Sequence, residues 1–172
     1  MGADWYPDSR HILFSAHQPG QRDRVWWQDT ERGAPKPLTP EGTAITGQAI
    51  SPDGSRFVAT DQDSQLVLYP LNGNGEPGGP PRAISGANPG ERLIRWEAAG
   101  RAIYVYHPQG LPIQISRIDL ATGKRELVRG YVPGNPLGVY SVRALVLSAD
   151  SRMAVFGFQR IMSELFLADG WK

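Results

Sequence analysis

The sequence predicts an all-β chain: a β-propeller of four-stranded antiparallel blades, with four repeats of which the last is incomplete, and so a partial propeller. Three observations carry the prediction. A turn-and-strand pattern recurs four times in 172 residues. Its strands are apolar at consecutive positions, so both of their faces need cover. With 20 Gly and 15 Pro interrupting nearly every window, no stretch supplies an amphipathic helix of three turns, and the cover must come from other sheets.

Trp5-Tyr-Pro-Asp-Ser-Arg-His-Ile-Leu-Phe, Ile50-Ser-Pro-Asp-Gly-Ser-Arg-Phe-Val-Ala, Trp96-Glu-Ala-Ala-Gly-Arg-Ala-Ile-Tyr-Val and Leu147-Ser-Ala-Asp-Ser-Arg-Met-Ala-Val-Phe align without gaps. Asp8, Asp53, Ala99 and Asp150 hold the same turn position, at separations of 45, 46 and 51 residues. In each unit an apolar strand approaches that turn. A second strand leaves it, as in Phe57-Val-Ala-Thr60, and a third follows, as in Leu66-Val-Leu-Tyr-Pro-Leu71 and Leu165-Phe-Leu167. A turn glycine closes the third strand at Gly33, Gly73, Gly123 and Gly170. Polar runs such as Pro35-Lys-Pro-Leu38, Arg82-Ala-Ile-Ser85 and Arg125-Glu-Leu-Val128 suit the outer edge, where proline and charge are tolerated. Fifteen strands are expected, in one region over 1–172 with blades at about 4–40, 43–85, 92–129 and 141–172.

The turn chemistry fits these hairpins. Pro52 presets a negative φ, Asp53 can accept a hydrogen bond from the backbone two residues on, and Gly54 can take a positive φ. Asp8, Asp53, Gly54, Gly100 and Asp150 are therefore read as structural turn residues, with Ser9 and Ser151 standing where the other two turns have Gly.

Composition removes several chemistries. Eighteen Lys and Arg against 17 Asp and Glu leave a net charge of +1, without the basic stripe that nucleic-acid binding needs. The absence of Cys excludes disulfides, zinc-thiolate sites, iron–sulfur clusters and a thiol nucleophile. The start lacks a signal-peptide pattern and no apolar run reaches the roughly 18 residues of a membrane span, so the chain is expected to be soluble and not inserted in a membrane.

No catalytic constellation emerges. Gly138-Val-Tyr-Ser-Val lacks the final Gly of a nucleophile elbow. His11, His17 and His107 are scattered. Asp61-Gln-Asp63-Ser opens like a calcium loop, but Leu66 and Asn72 stand where such a loop needs Gly and Glu. No catalytic residue, metal or cofactor is assigned. A metal-dependent hydrolase or lyase with a rim site at His17, His107, Asp61 or Asp63 is the alternative. Trp5 and Trp96 share a repeat position and are expected in the core or channel, and the loops joining second to third strands should share one rim with the loops joining blades. Arg22, Arg24, Arg92, Arg95, Tyr106, His107, Tyr140 and Arg160 are the candidate binding residues of that rim.

The Ser-Pro-Asp-Gly turn followed by an apolar strand and a Gly turn resembles the TolB-like, WD40-like propeller repeat of bacterial proteins over nearly the whole chain. Arg92-Leu-Ile-Arg-Trp-Glu-Ala-Ala-Gly-Arg, Ile118-Asp-Leu-Ala-Thr-Gly-Lys-Arg-Glu-Leu and Ser163-Glu-Leu-Phe-Leu-Ala-Asp-Gly-Trp-Lys resemble the C-terminal propeller of bacterial serine/threonine kinases and winged-helix regulators. That resemblance implies a non-enzymatic sensing or protein-interaction module with a protein or peptide partner. The kinase motifs themselves are missing from the chain. Such propellers usually have six or more blades, so four imply the tail of a longer product, a closed four-bladed ring or a ring finished by a second copy; an open arc would expose the apolar flanks of its end blades, and self-association or marginal solubility is expected. Descent from a membrane-bound kinase would place the module outside the cytoplasm; otherwise it is cytoplasmic.

Overall fold

The computed structural model describes residues 2–72, 75–165 and 170. Among them there are thirteen strands and no helix. Strands β1 (Ala3–Trp5), β2 (His11–Ala16), β3 (Arg24–Asp29) and β4 (Lys36–Pro37) form the first sheet, in chain order. The second holds β5 (Arg56–Thr60), β6 (Leu66–Pro70) and β7 (Arg82–Ala83). The third holds β8 (Arg92–Trp96), β9 (Ala102–Tyr106), β10 (Ile113–Asp119) and β11 (Arg125–Tyr131), and the fourth β12 (Val139–Leu147) and β13 (Ala154–Arg160). All pairings are antiparallel between chain neighbours, which is the meander of a propeller blade.

Thirteen of the fifteen expected strands are seen among the described residues. The first strand of the second unit contracts to two isolated bridges to β5, Ala44 to Thr60 and Ile50 to Phe57, because residues 47–50 share their backbone groups with neighbouring sheets. Gln48 N–H donates to Ile94 O at 3.0 Å and Ile50 N–H to Asp4 Oδ2 at 2.9 Å. The strand expected at 165–167 lies, apart from Leu165, outside the described residues, as does Gly73.

All four turns have the same geometry. Ser9, Gly54, Gly100 and Ser151 have φ of 57°, 70°, 67° and 58°, so the serines adopt the left-handed conformation that the glycines take freely. Each amide donates to the carbonyl three residues back: Tyr6, Ser51, Glu97 and Ser148, at 2.8–3.0 Å. The aspartates complete three of the turns. Asp8 Oδ1 accepts from the Arg10 amide at 2.9 Å, and Asp53 and Asp150 accept from Ser55 and Arg152 at 3.0 Å.

The core lies between sheets, as the consecutive apolar positions require. One cluster joins the first three sheets through residues such as Leu13, Val25, Phe57, Val58, Trp96 and Ile103. A second joins the third and fourth through Ile94, Tyr106, Ile113, Ile115, Val142 and Leu145. The third sheet, covered on both sides, is buried at four of five positions in β9. Polar bonds cross the same joints: Arg56 Nη2 reaches Gly100 O at 2.9 Å, and Arg95 Nη2 reaches Ala149 O at 3.0 Å and Ser151 Oγ at 2.8 Å.

Candidate functional site

The expected rim forms through a repeated contact. The segment that leads into the next sheet bonds the loop between second and third strands of the preceding one: Gly42 N–H to Asp23 O at 2.7 Å and Gly90 N–H to Ser64 O at 2.8 Å from loops, and Val142 N–H to Pro108 O at 2.7 Å from within β12. First strands begin at this end, so their opening residues line the mouth of the central channel here.

That mouth is a cavity of about 430 Å³ lined by Gly2, residues 44–47, Arg92, Leu93, Tyr106 and residues 143–146. Thr46, Arg92 and Arg143 each stand four residues before the landmark of their unit, Ile50, Trp96 and Leu147. Repeat symmetry thus brings three equivalent side chains from three sheets to one opening. Sequence reasoning singled out Arg92 and Tyr106 but missed Thr46 and Arg143, although the shared offset was visible.

The electrostatics of the mouth are one-sided. Among the described residues no Asp or Glu lines it. Arg10, Arg24, Arg117 and Arg125 are held in ion pairs, whereas among the described residues neither Arg92 nor Arg143 is. The adjacent Glu91 is buried and turned away to Arg125, with oxygens 2.5 and 3.0 Å from its guanidinium. Thr46 Oγ1 is buried without a hydrogen-bond partner. Burial pushes the Tyr106 phenol above its ordinary pKa, against the pull of the neighbouring Arg92. Leu93 and Leu145 give the cavity an apolar wall.

The other candidates are dispersed. Arg24 pairs with Glu41 at 2.7 Å, and the Arg22 amide donates to the same carboxylate at 3.3 Å. His107 Nδ1 lies 3.0 Å from Gln109 O. The Tyr140 hydroxyl donates to Gln159 Oε1 at 2.5 Å, and Arg160 reaches Asn135 O at 2.5 Å while its guanidinium lies 4.9 Å from the centre of the Phe158 ring. Arg95 is at the opposite end of the channel, where it clasps the turn of the fourth unit. It sits one residue before the turn landmark, which carries it away from the rim.

Trp96 is core, with Nε1 donating to Ala49 O at 2.9 Å, but Trp5 is 59% exposed. Trp96 packs against the second sheet, whereas no sheet among the described residues covers Trp5. The alternative metal set does not assemble. His17 pairs with Asp23 at 2.7 Å, Asp61 Oδ1 accepts from the amides of Asp63 and Gln65, and among the described residues no three His, Cys, Asp or Glu side chains cluster to hold a metal ion.

Sheets in meander order, stacked face to face around a channel, define the class: a TolB-like β-propeller fold. TolB from Acinetobacter baumannii has a similar structure, at TM-score 0.62 and 21% identity over 88% of this chain and 36% of that one. A putative TolB from Agrobacterium tumefaciens gives TM-score 0.59 and 17% identity over 92% and 53%. A puromycin-hydrolyzing peptidase from Mycobacterium tuberculosis gives TM-score 0.50 and 16% identity over 83% and 22%. The chain therefore spans about a third to a half of the two TolB structures, and at these identities the likeness is one of fold. No protein-family model and no curated protein matches the chain. Among the described residues no helix is long and apolar enough to cross a membrane.

Proposed function

We propose that this chain is a non-catalytic β-propeller interaction module that takes a carboxylate-bearing segment of a protein or peptide partner at the channel mouth. The observation that carries this reading is the convergence of Thr46, Arg92 and Arg143 on one cavity that no carboxylate lines. Two guanidiniums without an acidic partner among the described residues offer forked donors to a carboxylate, and the buried Thr46 hydroxyl supplies a further polar group. The cavity is within the range of pockets that hold a small ligand or a few residues of peptide. In this reading blades at about 4–40, 43–85, 92–129 and 141–172 make one propeller region, and the module is the sensing or interaction part of a bacterial signalling protein. The kinase-like segments at 92–101 and 118–127 support that context.

The test is a titration with a short glutamate-containing peptide and its glutamine counterpart, on the chain and on Arg92→Gln and Arg143→Gln. Each substitution is expected to weaken the acidic peptide at least about tenfold, the scale of one charge-assisted bond of roughly 1.5–3 kcal/mol. Added salt should weaken it too. Equal binding of both peptides, or arginine variants that bind as well as the parent, would refute the site. Turnover of a substrate by the purified chain, abolished by a rim substitution, would refute the non-catalytic reading.

A further inference from the structure

The joint between the second and third sheets gathers arginines of its own, on the turn side of the molecule and away from the mouth. A cavity of about 220 Å³ there is lined by Arg56 and Arg82 from the second sheet and by Gly100, Arg101, Asp119 and Leu120 from the third. Each arginine of the second sheet is pinned by one nitrogen to a carbonyl of the third: Arg56 Nη2 donates to Gly100 O at 2.9 Å and Arg82 Nη2 to Leu120 O at 3.5 Å. A guanidinium carries five N–H donors, so most of those at this cavity have no protein acceptor among the described residues. One of them, Arg56 Nε, is buried without a partner.

The repeat shows what sets this joint apart. Arg101 and Asp119 stand where the first unit has Arg10 and Asp29: Ala102 pairs with Asp119 as His11 pairs with Asp29, and Arg101 O accepts the Leu120 amide as Arg10 O accepts that of Thr30. In the first unit the arginine grips the carboxylate, with nitrogens 2.5 and 3.1 Å from its oxygens. In the third, Asp119 Oδ1 instead accepts from the Thr122 amide and hydroxyl at 2.9 Å and from the Ala121 amide at 3.1 Å. The Thr122 bonds hold its carboxyl below the ordinary carboxylate range. Among the described residues none of Arg56, Arg82 and Arg101 is ion-paired, whereas Arg10, Arg24, Arg117 and Arg125 are. Three guanidiniums against one carboxylate leave the cavity with two positive charges in excess, a repulsion that a bound anion relieves.

We propose that this cavity binds a phosphoryl group, with Arg56, Arg82 and Arg101 donating to its oxygens. A phosphoryl group carries about −1.5 to −2 charge near pH 7 and matches the excess. It also offers three oxygens to forks that arrive from two sheets, where a carboxylate has two oxygens and a single charge. The site shares no residue with the Arg92–Arg143 mouth, and either proposal can fail without the other.

Calorimetric titration with inorganic phosphate in chloride buffer tests this on the chain and on Arg82→Gln and Arg101→Gln. Both positions are exposed, and far-ultraviolet circular dichroism checks that each variant is folded. Each substitution is expected to weaken phosphate at least about tenfold, the loss of one charge-assisted bond. Arg10→Gln, at the equivalent position whose cation is already paired, and Arg92→Gln, at the mouth, should leave phosphate binding unchanged. A short phosphoserine peptide and its serine counterpart distinguish the sources of the group. Tighter binding of the phosphopeptide than of inorganic phosphate assigns it to a modified chain, and binding of inorganic phosphate alone assigns it to the free anion; both uphold the site. No saturable binding of either phosphate or phosphopeptide, Arg82→Gln and Arg101→Gln variants that bind as the parent does, or equal weakening by Arg10→Gln or Arg92→Gln would overturn the proposal.

Discussion

Trp5 and Trp96 form a matched pair: one residue type and one repeat position, 59% exposed in one case and 4% in the other. Truncating each to alanine separates the effect of the joint from that of the residue. A tryptophan buries up to about 250 Å² and apolar burial is worth about 25 cal/mol per Å², so complete loss of Trp96 forgoes about 6 kcal/mol as an upper bound. Measured truncations of buried Trp fall at about 3–5 kcal/mol. Trp96→Ala also removes a partner from the Ala49 carbonyl, which keeps its bond from the Val58 amide at 3.0 Å, so that loss adds little. Trp5 keeps well under half of its surface buried, and the same arithmetic caps Trp5→Ala at about 2.5 kcal/mol, with about 1 kcal/mol expected after the unfolded chain's own burial is allowed for. Urea unfolding followed by circular dichroism, in protein dilute enough to be monomeric, should show Trp96→Ala as the costlier by at least about 2 kcal/mol. Equal losses would refute the claim that a preceding sheet is what buries this position.

Gly47→Ala should destabilise far more than Gly54→Ala. A Cβ on Gly47 would meet the carbonyl oxygens of Leu93 and Ile94 at 2.4 Å, and only the backbone could yield, whereas Gly54 has ordinary contacts and a φ of +70°. About 1 kcal/mol for Gly54→Ala and at least about 3 for Gly47→Ala are expected in the same urea experiment; similar losses would contradict the close approach of sheets. The turn carboxylates set the acid limit. The Ser51 hydroxyl and the Ser55 amide hold Asp53 down to about 2, and Ser148 holds Asp150 below its ordinary value. Folded pKa values below unfolded ones mean that this stabilisation is complete above about pH 4 and is lost as pH falls toward 2. Asp53→Asn should flatten that loss, and an unaltered acid profile would show that the turn does not contribute. Arg95→Lys should cost about 1–3 kcal/mol by breaking bonds to the fourth unit's turn, seen as early loss of signal from β12 and β13 in hydrogen exchange.

The turns were legible because their residues are local: Asp, Gly and the residues between them decide the hairpin without reference to the rest of the chain. Even so, Ser9 and Ser151 conform fully to the glycine geometry, which composition alone left open. The architecture was legible because apolar strands without helices leave sheets as the only cover. What escaped was anything that depends on a neighbour. Trp5 carries the same letter as Trp96, and what sets their exposures apart is that a sheet among the described residues covers one and not the other. Arg95 resembles a rim arginine in composition, yet three residues of strand separate it from Arg92 and place it at the other end of the channel. Arg143 and Thr46 belong to no motif, and they meet Arg92 only because three first strands converge on one axis. The matching offset from each landmark was the available signal.

Arg95 has a mechanical role as well. A stack in which each layer touches only its neighbours distributes stability unevenly, because interior layers are held from two sides and terminal ones from one. Among the described residues β12 and β13 are joined to the third sheet by the Arg95 guanidinium, the bond from the Val142 amide to Pro108 O and one apolar cluster. Loss of the Arg95 clamp should therefore loosen β12 and β13 from the third sheet first, while the first three sheets stay joined through their shared apolar cluster.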